Sequence, residues 1–399
     1  MAKTANEELH DAMLRHQTYL LRYSGYVRNR INTVLESTEQ DIADKIRSRL
    51  AGNIGLTTST ELKRLQSLVQ SIRKIREPAW DEATKDLKDQ MTALSLAESV
   101  SIAGIVTVVL PVEINVATPS ARLLRSIALS RPFQGQILAD WAASMEADDL
   151  RRIHNAIQLG MTAGEDIATI AKRVIGTKEL GYADGVTQMT RNQVDAVVKT
   201  AVQHVANHSR SAWFSENSDV ITEEYFVATL DSRTTPVCYA NDGKRYSLGK
   251  GPIPPLHFRC RSLRIAAIDG TLAGSRPAKP FIESQLVKEY ANENNLGDIS
   301  SRKDLPHGTR TAYDKWARGR IRQLVGPIPA ETTYNTWLKG QSKAFQEGIL
   351  GIDKAKLFRD GNLSLDKFID RNGNELTLAQ LAKTEADAFR AAGLNPKDF

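Results

Sequence analysis

A helical periodicity over the first 110 residues constrains the fold of this 399-residue chain more than any other sequence feature. Apolar residues recur there at three- and four-residue intervals, which places them on one face of an α-helix. Between residues 6 and 50 these positions are Leu9, Met13, Leu20, Leu21, Val27, Ile31, Val34, Leu35, Ile42, Ile46 and Leu50. The opposite face carries Arg15, Arg22, Arg28, Arg30, Arg47 and Arg49. The pattern predicts one long helix or two.

The helical pattern is interrupted at "GNIGLTTSTE" and then resumes. Ser59 or Thr60 can N-cap a second helix that continues through Ile75, since a side-chain hydroxyl can accept a free amide of the first turn. Pro78 predicts a restart, with a third helix reaching about Leu110. Three helices without a dense apolar core of their own predict either an arm that packs on another part of the protein or a self-contained hairpin.

Composition limits the class of protein. Two cysteines cannot form a disulfide framework, and the N-terminus lacks the residue order of a signal peptide, so we expect synthesis in a reducing cytoplasm. The longest apolar stretch, "SIAGIVTVVLPVEINVA", is broken at Pro111 and Glu113 before it reaches the roughly 18 uncharged residues of a membrane span. We predict a buried segment and no membrane partner.

The pattern of predicted helices and strands changes in the middle of the chain. Shorter helices are followed by a clear helix over 190–213 and then by the only strand-rich region, in which "TEEYFVATLD", "KRYSL" and "CRSLRIAAI" predict a three-stranded antiparallel sheet with a turn at Asp242-Gly243. Helical pattern returns afterwards. Near the end, residues 365–378 predict two short strands around an Asn372-Gly373 turn, and a last helix reaches Gly393.

These patterns together predict an α+β protein that is predominantly α-helical. We divide it into an N-terminal helical arm (1–110), a mixed core with a small antiparallel β-sheet (111–275) and a mostly helical C-terminal module (276–399).

Both cysteines lie in one stretch, "LDSRTTPVCYANDGKRYSLGKGPIPPLHFRCRS", with the spacing C-x18-H-x2-C at Cys238, His257 and Cys260. Thiolate and imidazole are zinc ligands, and Asp231 or Asp242 could add an oxygen. Three strong ligands are one short of a closed structural site. A structural zinc ion, a Cys238–Cys260 disulfide, and packed free thiols with His257 hydrogen-bonded all remain open.

Catalytic alternatives for this stretch are a Cys238 nucleophile with His257 as base, or a zinc-bound water acting as a nuclease or other hydrolase. No oxyanion hole is evident. Asp231, Arg233 and Thr234 instead predict a tied turn, in which the carboxylate accepts nearby amides and Arg233 bridges to an acid or a carbonyl.

Other motifs are weaker. "HVANH" spaces His204 and His208 as in a zinc protease, but Val205 stands where the glutamate base would be, so we expect ordinary surface or interface histidines. The loop at Asp370 lacks the EF-hand order and predicts a turn.

The formal charge of +6 and a basic helix permit a polyanionic partner. The cations of that helix, beside the single acid Asp314, are Arg310, Lys315, Arg318, Arg320 and Arg322.

The cysteine-containing stretch resembles the signature of the Mu F-like phage head morphogenesis proteins. The resemblance rests on Leu230, Asp231, Ser232, Arg233, Thr234, Cys238, Asp242, Gly243, Lys244, Pro254, Pro255, Leu256, His257, Cys260 and Arg261. It extends over about 130–270, and the tail from Thr332 is similar to a C-terminal module that a subset of these proteins carries. Many relatives have a cysteine where this chain has Ser262.

The resemblance implies a non-enzymatic minor head protein of a tailed phage, located in the virion at the portal vertex or the head interior. It implies the portal protein, capsid or scaffold proteins and double-stranded DNA as partners, with the DNA bound without sequence preference. The cofactor expected, if any, is a structural zinc ion. A toxin fused to the core is a further alternative, although the residues after the core carry no recognisable catalytic constellation.

Overall fold

The computed structural model describes residues 3–50, 59–110, 115–268 and 272–399. The helices of the first half are α1 (Ala5–Glu36), α2 (Glu39–Leu50), α3 (Ser59–Val109), α4 (Ala121–Leu129), α5 (Leu138–Thr162), α6 (Ile167–Ile175) and α7 (Thr187–Glu216). Those of the second half are α8 (Pro236–Tyr239), α9 (Glu283–Glu293), α10 (Arg310–Leu324), α11 (Tyr334–Lys339), α12 (Lys343–Leu350), α13 (Ile352–Arg359), α14 (Leu378–Thr384) and α15 (Ala386–Ala391). The strands are β1 (Glu223–Val227), β2 (Leu230–Asp231), β3 (Arg245–Ser247), β4 (Leu263–Ala267), β5 (Ser275–Lys279) and β6 (Gly326–Pro329). The predominantly helical α+β class is confirmed.

Helix α3 is continuous over 51 residues and passes through Pro78. The predicted restart at Pro78 is therefore wrong. Proline removes one amide donor and usually ends or kinks a helix, but here Arg76, Ala79 and Trp80 are buried on either side of it and hold the helical path by packing. The predicted interruption at "GNIGLTTSTE" covers residues 52–61, of which 52–58 lie outside the described residues, and Ser59 already begins α3.

Helix α7 is the centre of the helical part. It buries residues around its whole circumference, as a helix does when neighbours cover every face. Helices α1 and α3 both pack on it, and Val27, Met91 and Val202 belong to one shared hydrophobic cluster. Of the two arrangements predicted for the N-terminal helices, the structure has the one in which they pack on another part of the protein. The three-part division of the chain stays a prediction.

The apolar end of α3 is buried on one face only. Ile102 and Val106 are buried against Leu9 and Trp213, whereas Val108 is 83% exposed. The prediction of a buried segment therefore holds for Ile102 and Val106, whereas the other described residues of the segment are partly or largely exposed. Residues 111–114 lie outside the described part. Helix α3 contains an 18-residue stretch that is long and apolar enough to cross a membrane, and one third of that stretch is buried in the fold.

The predicted antiparallel sheet is confirmed, with strand order β3–β1–β4. Tyr225 on the central strand lies opposite Arg245 on one side and Ile265 on the other. The apolar side chains of this sheet pack on α1 and α7, where Val227 and Leu263 contact the cluster around Trp213 and Phe214. The sheet is thereby fixed to the central helix.

A second sheet, with order β2–β5–β6, escapes the sequence prediction. Strand β2 is parallel to β5, β5 is antiparallel to β6, and Pro277 faces Pro327 across the latter pair. Proline cannot donate to a strand ladder, so these segments do not have the pattern of strands. The segment "TEEYFVATLD" is divided between the two sheets, since β1 belongs to the first and β2 to the second.

The C-terminal part packs on the region that contains both cysteines. The apolar side chains of this part share one cluster with Leu230 and Tyr239; they include Tyr334, Trp337, Leu338, Phe345, Phe358, Phe368, Leu381 and Phe389. Asp370 accepts the amides of Asn372 and Asn374, each at 2.8 Å, and forms the predicted turn. The two strands predicted around it are wrong, because one isolated bridge joins Ile369 to Glu375. The predicted last helix is divided into α14 and α15.

Candidate functional site

Cys238, His257 and Cys260 come together at the junction of three segments. Cys238 lies on the one-turn helix α8, His257 lies in the irregular segment that follows β3, and Cys260 stands just before β4. The Cys238 Sγ is 3.3 Å from His257 Nε2 and 3.6 Å from Cys260 Sγ. Both cysteines are 1% exposed and are not joined by a disulfide. The disulfide, one of the three arrangements left open by the sequence, is therefore not formed, and packed free thiols and a structural zinc ion both stay predictions.

The three groups shift one another's proton affinity. The hydrogen bond from Cys238 lowers the pKa of the Cys260 thiol well below its usual value, and His257 acts in the same direction. The same hydrogen bond, together with burial, raises the pKa of Cys238. Burial alone would lower the pKa of His257, but its contacts with Cys260 outweigh burial and raise it. The arrangement favours a thiolate on Cys260 beside a cationic or metal-bound partner.

This geometry does not suit Cys238 as a nucleophile. A reactive cysteine is partly exposed and has a lowered pKa, whereas the Cys238 thiol is buried and its pKa is raised. A cysteine hydrolase centred on Cys238 is therefore disfavoured.

Asp231 organises the turn that precedes α8. Its Oδ1 accepts the Arg233 amide at 3.0 Å and the Thr234 hydroxyl at 3.3 Å. Arg261 grips both carboxylate oxygens, so the bridging arginine is Arg261 and the prediction for the exposed Arg233 side chain is corrected. Burial would raise the pKa of Asp231, but the Arg261 guanidinium outweighs it and lowers that pKa. Tyr334 donates its hydroxyl to the Asp231 carbonyl at 2.8 Å.

Asp242 joins three parts of the chain. Its carboxylate accepts the Ala228 amide at 2.7 Å and the Tyr334 amide at 2.6 Å, and Arg276 of β5 contacts both of its oxygens at 3.0 and 3.1 Å. Gly243 has φ +77° and turns the chain toward β3. Neither Asp242 nor Asp231 joins the group of potential metal ligands among the described residues, so the suggestion that one of them supplies an oxygen is wrong.

Two further residues complete the surroundings of the motif. Pro255 is buried, and its carbonyl accepts a hydrogen bond from Gln134 Nε2 at 3.3 Å. Arg276 and Tyr334 are partners of the motif that the sequence did not indicate. The segment around Arg276 contains Pro277 and does not have the pattern of a strand, so the contact between Arg276 and Asp242 could not be predicted.

His204 and His208 are not surface residues, which corrects the expectation from the sequence. His204 is 2% exposed, His208 is largely buried, and their rings lie 4.5 Å apart next to Phe133. Burial and Arg131 lower the pKa of His204 to about 4. Burial, His204 and Arg131 lower the pKa of His208 to about 2. Both rings are thus neutral in the folded protein at neutral pH.

We expect this histidine pair to weaken the fold in mild acid. Between pH 6.5 and about 4 the unfolded chain takes up protons on both rings and the folded chain does not, so stability is full above pH 6.5 and falls as the pH is lowered. At pH 5 the loss is about 2 kcal/mol for each histidine relative to pH 7. Urea unfolding of the parent and of His208→Gln at pH 7 and pH 5 measures it. The variant should lose about 2 kcal/mol less than the parent over this interval, and equal losses would contradict the prediction.

The structure separates the five basic candidates on α10 into two groups. Arg310 donates to the backbone carbonyls of Lys303 and Leu305, and Arg320 pairs with Glu289. The other three cations, Lys315, Arg318 and Arg322, are exposed and have no ion pair or hydrogen bond within the part of the chain that the structure describes. Their spacing of three and four residues places them on one face of the helix.

Comparison with known proteins agrees with the motif. Residues 151–265, from the middle of α5 to β4, match the model of the family described as Phage Mu protein F like protein. The matched segment contains α6, α7, the first sheet, both cysteines and the motif from Asp231 to Arg261, and it is shorter at both ends than the 130–270 that the sequence suggested. No curated protein and no solved structure matches the chain. The match covers less than a third of the chain, and it shows that residues 151–265 are similar to the Phage Mu protein F like family.

Proposed function

We propose that the chain is a non-enzymatic minor head protein of a tailed phage, which acts during head morphogenesis at the portal vertex or on the inner face of the capsid. The match of residues 151–265 to the Mu F-like family carries the proposal. The burial of Cys238 and Cys260 supports the non-enzymatic part of the proposal, because reactive cysteines are usually partly exposed. The zinc nuclease alternative predicts nicking of supercoiled plasmid by zinc-loaded protein, and we expect none.

The N-terminal helices supply a surface that suits docking on portal or capsid subunits. On the outer side of α3, Val100 is 72% exposed and Val108 is 83% exposed, with Gly104 between them at helical spacing. Tyr19 and Tyr26 of α1 are about half exposed. Exposed apolar side chains along one helix face, such as Val100 and Val108, suit association with another protein.

The experiment that tests the proposed function is co-purification with heads. The tagged chain, expressed together with the portal and capsid proteins of the same phage, should sediment with portal rings or assembled heads. Replacing both Val100 and Val108 with glutamate should abolish the association, whereas glutamate at Leu180, an exposed apolar residue of the Mu F-like segment, should leave it intact. A parent chain that sediments with neither portal nor head would overturn the proposal.

The exposed cations of α10 are proposed to contact packaged or exiting DNA without reading its sequence. Phosphate contacts of this kind release counterions and weaken as salt rises. We expect the triple variant with Lys315, Arg318 and Arg322 changed to glutamate to bind a random duplex at least tenfold more weakly in fluorescence anisotropy. The slope of the logarithm of the binding constant against the logarithm of salt concentration should become about 3 less steep, roughly one for each lost phosphate contact.

A matched control removes the effect of net charge. Lys367, Lys383 and Lys397 are also exposed, and the corresponding triple glutamate variant makes the same change in charge elsewhere on the protein. Equal weakening by both triple variants would show that overall charge, and not the face of α10, governs DNA binding.

A further inference from the structure

We propose that Cys238, His257 and Cys260 bind a zinc ion that ties α8, the segment after β3 and the start of β4 together. The inference is independent of the role of the protein in the phage head. Two thiolates and one neutral imidazole are ligands that structural zinc sites use. Two thiolates and one Zn²⁺ sum to zero charge, so the loaded site carries no net charge into the interior.

The distances fit a tetrahedral zinc ion. With Zn–S near 2.3 Å and Zn–N near 2.0 Å, tetrahedral angles place two sulfurs about 3.8 Å apart and a sulfur and a nitrogen about 3.5 Å apart. Here the sulfurs are 3.6 Å apart, and Cys238 Sγ lies 3.3 Å from His257 Nε2. All three ligand atoms lie within 4.8 Å of one another. Shifts of a few tenths of an ångström admit the ion.

The surroundings orient the ligands as in metal sites. The other ring nitrogen of His257 is 2.8 Å from the Phe258 carbonyl, which fixes the proton on Nδ1 and turns the Nε2 lone pair toward the sulfurs. Arg261 directly follows Cys260 in the sequence, and its guanidinium donates to both oxygens of Asp231. The zinc-bound thiolates thus have a cation in their outer surroundings.

The segment that carries the ligands has little other stabilisation. Residues 248–262 contain no helix or strand, and the hydrophobic cluster beneath them has four buried members, Phe226, Ala228, Cys238 and Cys260. So small a core stabilises little by itself, and a metal cross-link is a common substitute for apolar burial.

The fourth coordination position is assigned to the side on which Ser262 lies. Ser262 follows Cys260 by two residues and is 2% exposed, and its side chain neighbours the Cys238 sulfur. Asp231 and Asp242 are engaged by Arg261 and Arg276, so neither carboxylate completes the shell. A water molecule held by the Ser262 hydroxyl would complete it.

Native mass spectrometry of the full chain, purified without a polyhistidine tag from zinc-supplemented cells, tests the proposal. We expect one zinc ion per chain. A strong chelator should remove it and lower the Tm by on the order of 5 °C or more, and added zinc should restore the Tm. Cys238→Ser and Cys260→Ser should lose the ion, whereas the exposed His307→Ala should keep it. Because the first measurement uses the parent chain, variants that fail to fold do not decide the result.

Two results would overturn the zinc site: a zinc-free chain with two thiols that alkylate readily, or one with a Cys238–Cys260 disulfide. The Ser262→Cys variant tests the fourth position. A cysteine there completes a four-ligand site and should retain zinc against a competing chelator at least tenfold better than the parent. Equal retention would overturn the assignment of that position. Zinc content is measured on the isolated chain, so its outcome is separate from that of the head co-purification.

Discussion

Replacing Asp242 with alanine is expected to lower the free energy of unfolding by about 3–5 kcal/mol. The carboxylate is 6% exposed and accepts hydrogen bonds from the Ala228 and Tyr334 amides and from Arg276. Arg276 is itself 2% exposed, so its charge would be left buried without a counter-ion. A buried charge that loses its partner is far more costly than a surface pair.

Urea unfolding followed by circular dichroism measures the effect, with Asp298→Ala as the matched control. Asp298 is 89% exposed and its pair with Lys288 is on the surface, so its loss should change stability by less than 1 kcal/mol. The double variant Asp242→Ala/Arg276→Met removes the unpaired cation and should recover part of the loss. A single variant as stable as the Asp298 control would refute the role of Asp242 as a connector.

Asp149 is the second position where a large effect is expected. It is fully buried where α3, α5 and α7 meet, and it accepts from Arg76 at 2.7 Å, Trp80 at 2.9 Å and Thr190 at 2.7 Å. Alanine there leaves Arg76, which is 1% exposed, without its carboxylate and leaves two other donors without an acceptor. We expect a loss of about 3–5 kcal/mol.

The neighbouring residue provides the control for Asp149. Asp148 is about one third exposed and pairs with Arg151 and Arg152 at the surface of the same helix. Asp148→Ala should cost about 1 kcal/mol or less. Similar losses for the two alanine variants, measured by the same urea titration, would contradict the argument that burial decides the difference.

Periodicity predicts the helices well, because their apolar residues repeat with a period close to that of the helix. The helix predicted over 190–213 is the central helix α7, and the strands with β-branched and aromatic residues form the first sheet. Pro78 shows the limit of local rules, since long-range packing of Trp80 and Ala79 decides the backbone there. The second sheet was not predicted, because its strands β5 and β6 contain Pro277 and Pro327, and proline is rare in strands.

Within the site, the sequence identifies the chemical groups but not all of their partners. The spacing of Cys238, His257 and Cys260 predicts a common site, and the structure places these side chains in contact. Partners from distant segments, such as Arg276 and Tyr334, cannot be read from local pattern. The same holds for His204 and His208, whose burial depends on neighbours such as Phe133 that lie about 70 residues away.

The link between Asp242 and the Tyr334 amide spans 92 residues of sequence, and this separation has a consequence for synthesis on the ribosome. At 5–20 residues per second, roughly five to twenty seconds pass between translation of the two positions. During that interval the motif lacks both its last amide donor and the aromatic cluster that covers Leu230 and Tyr239. Residues 151–265 therefore complete these contacts only after the segment around Tyr334 has been synthesised.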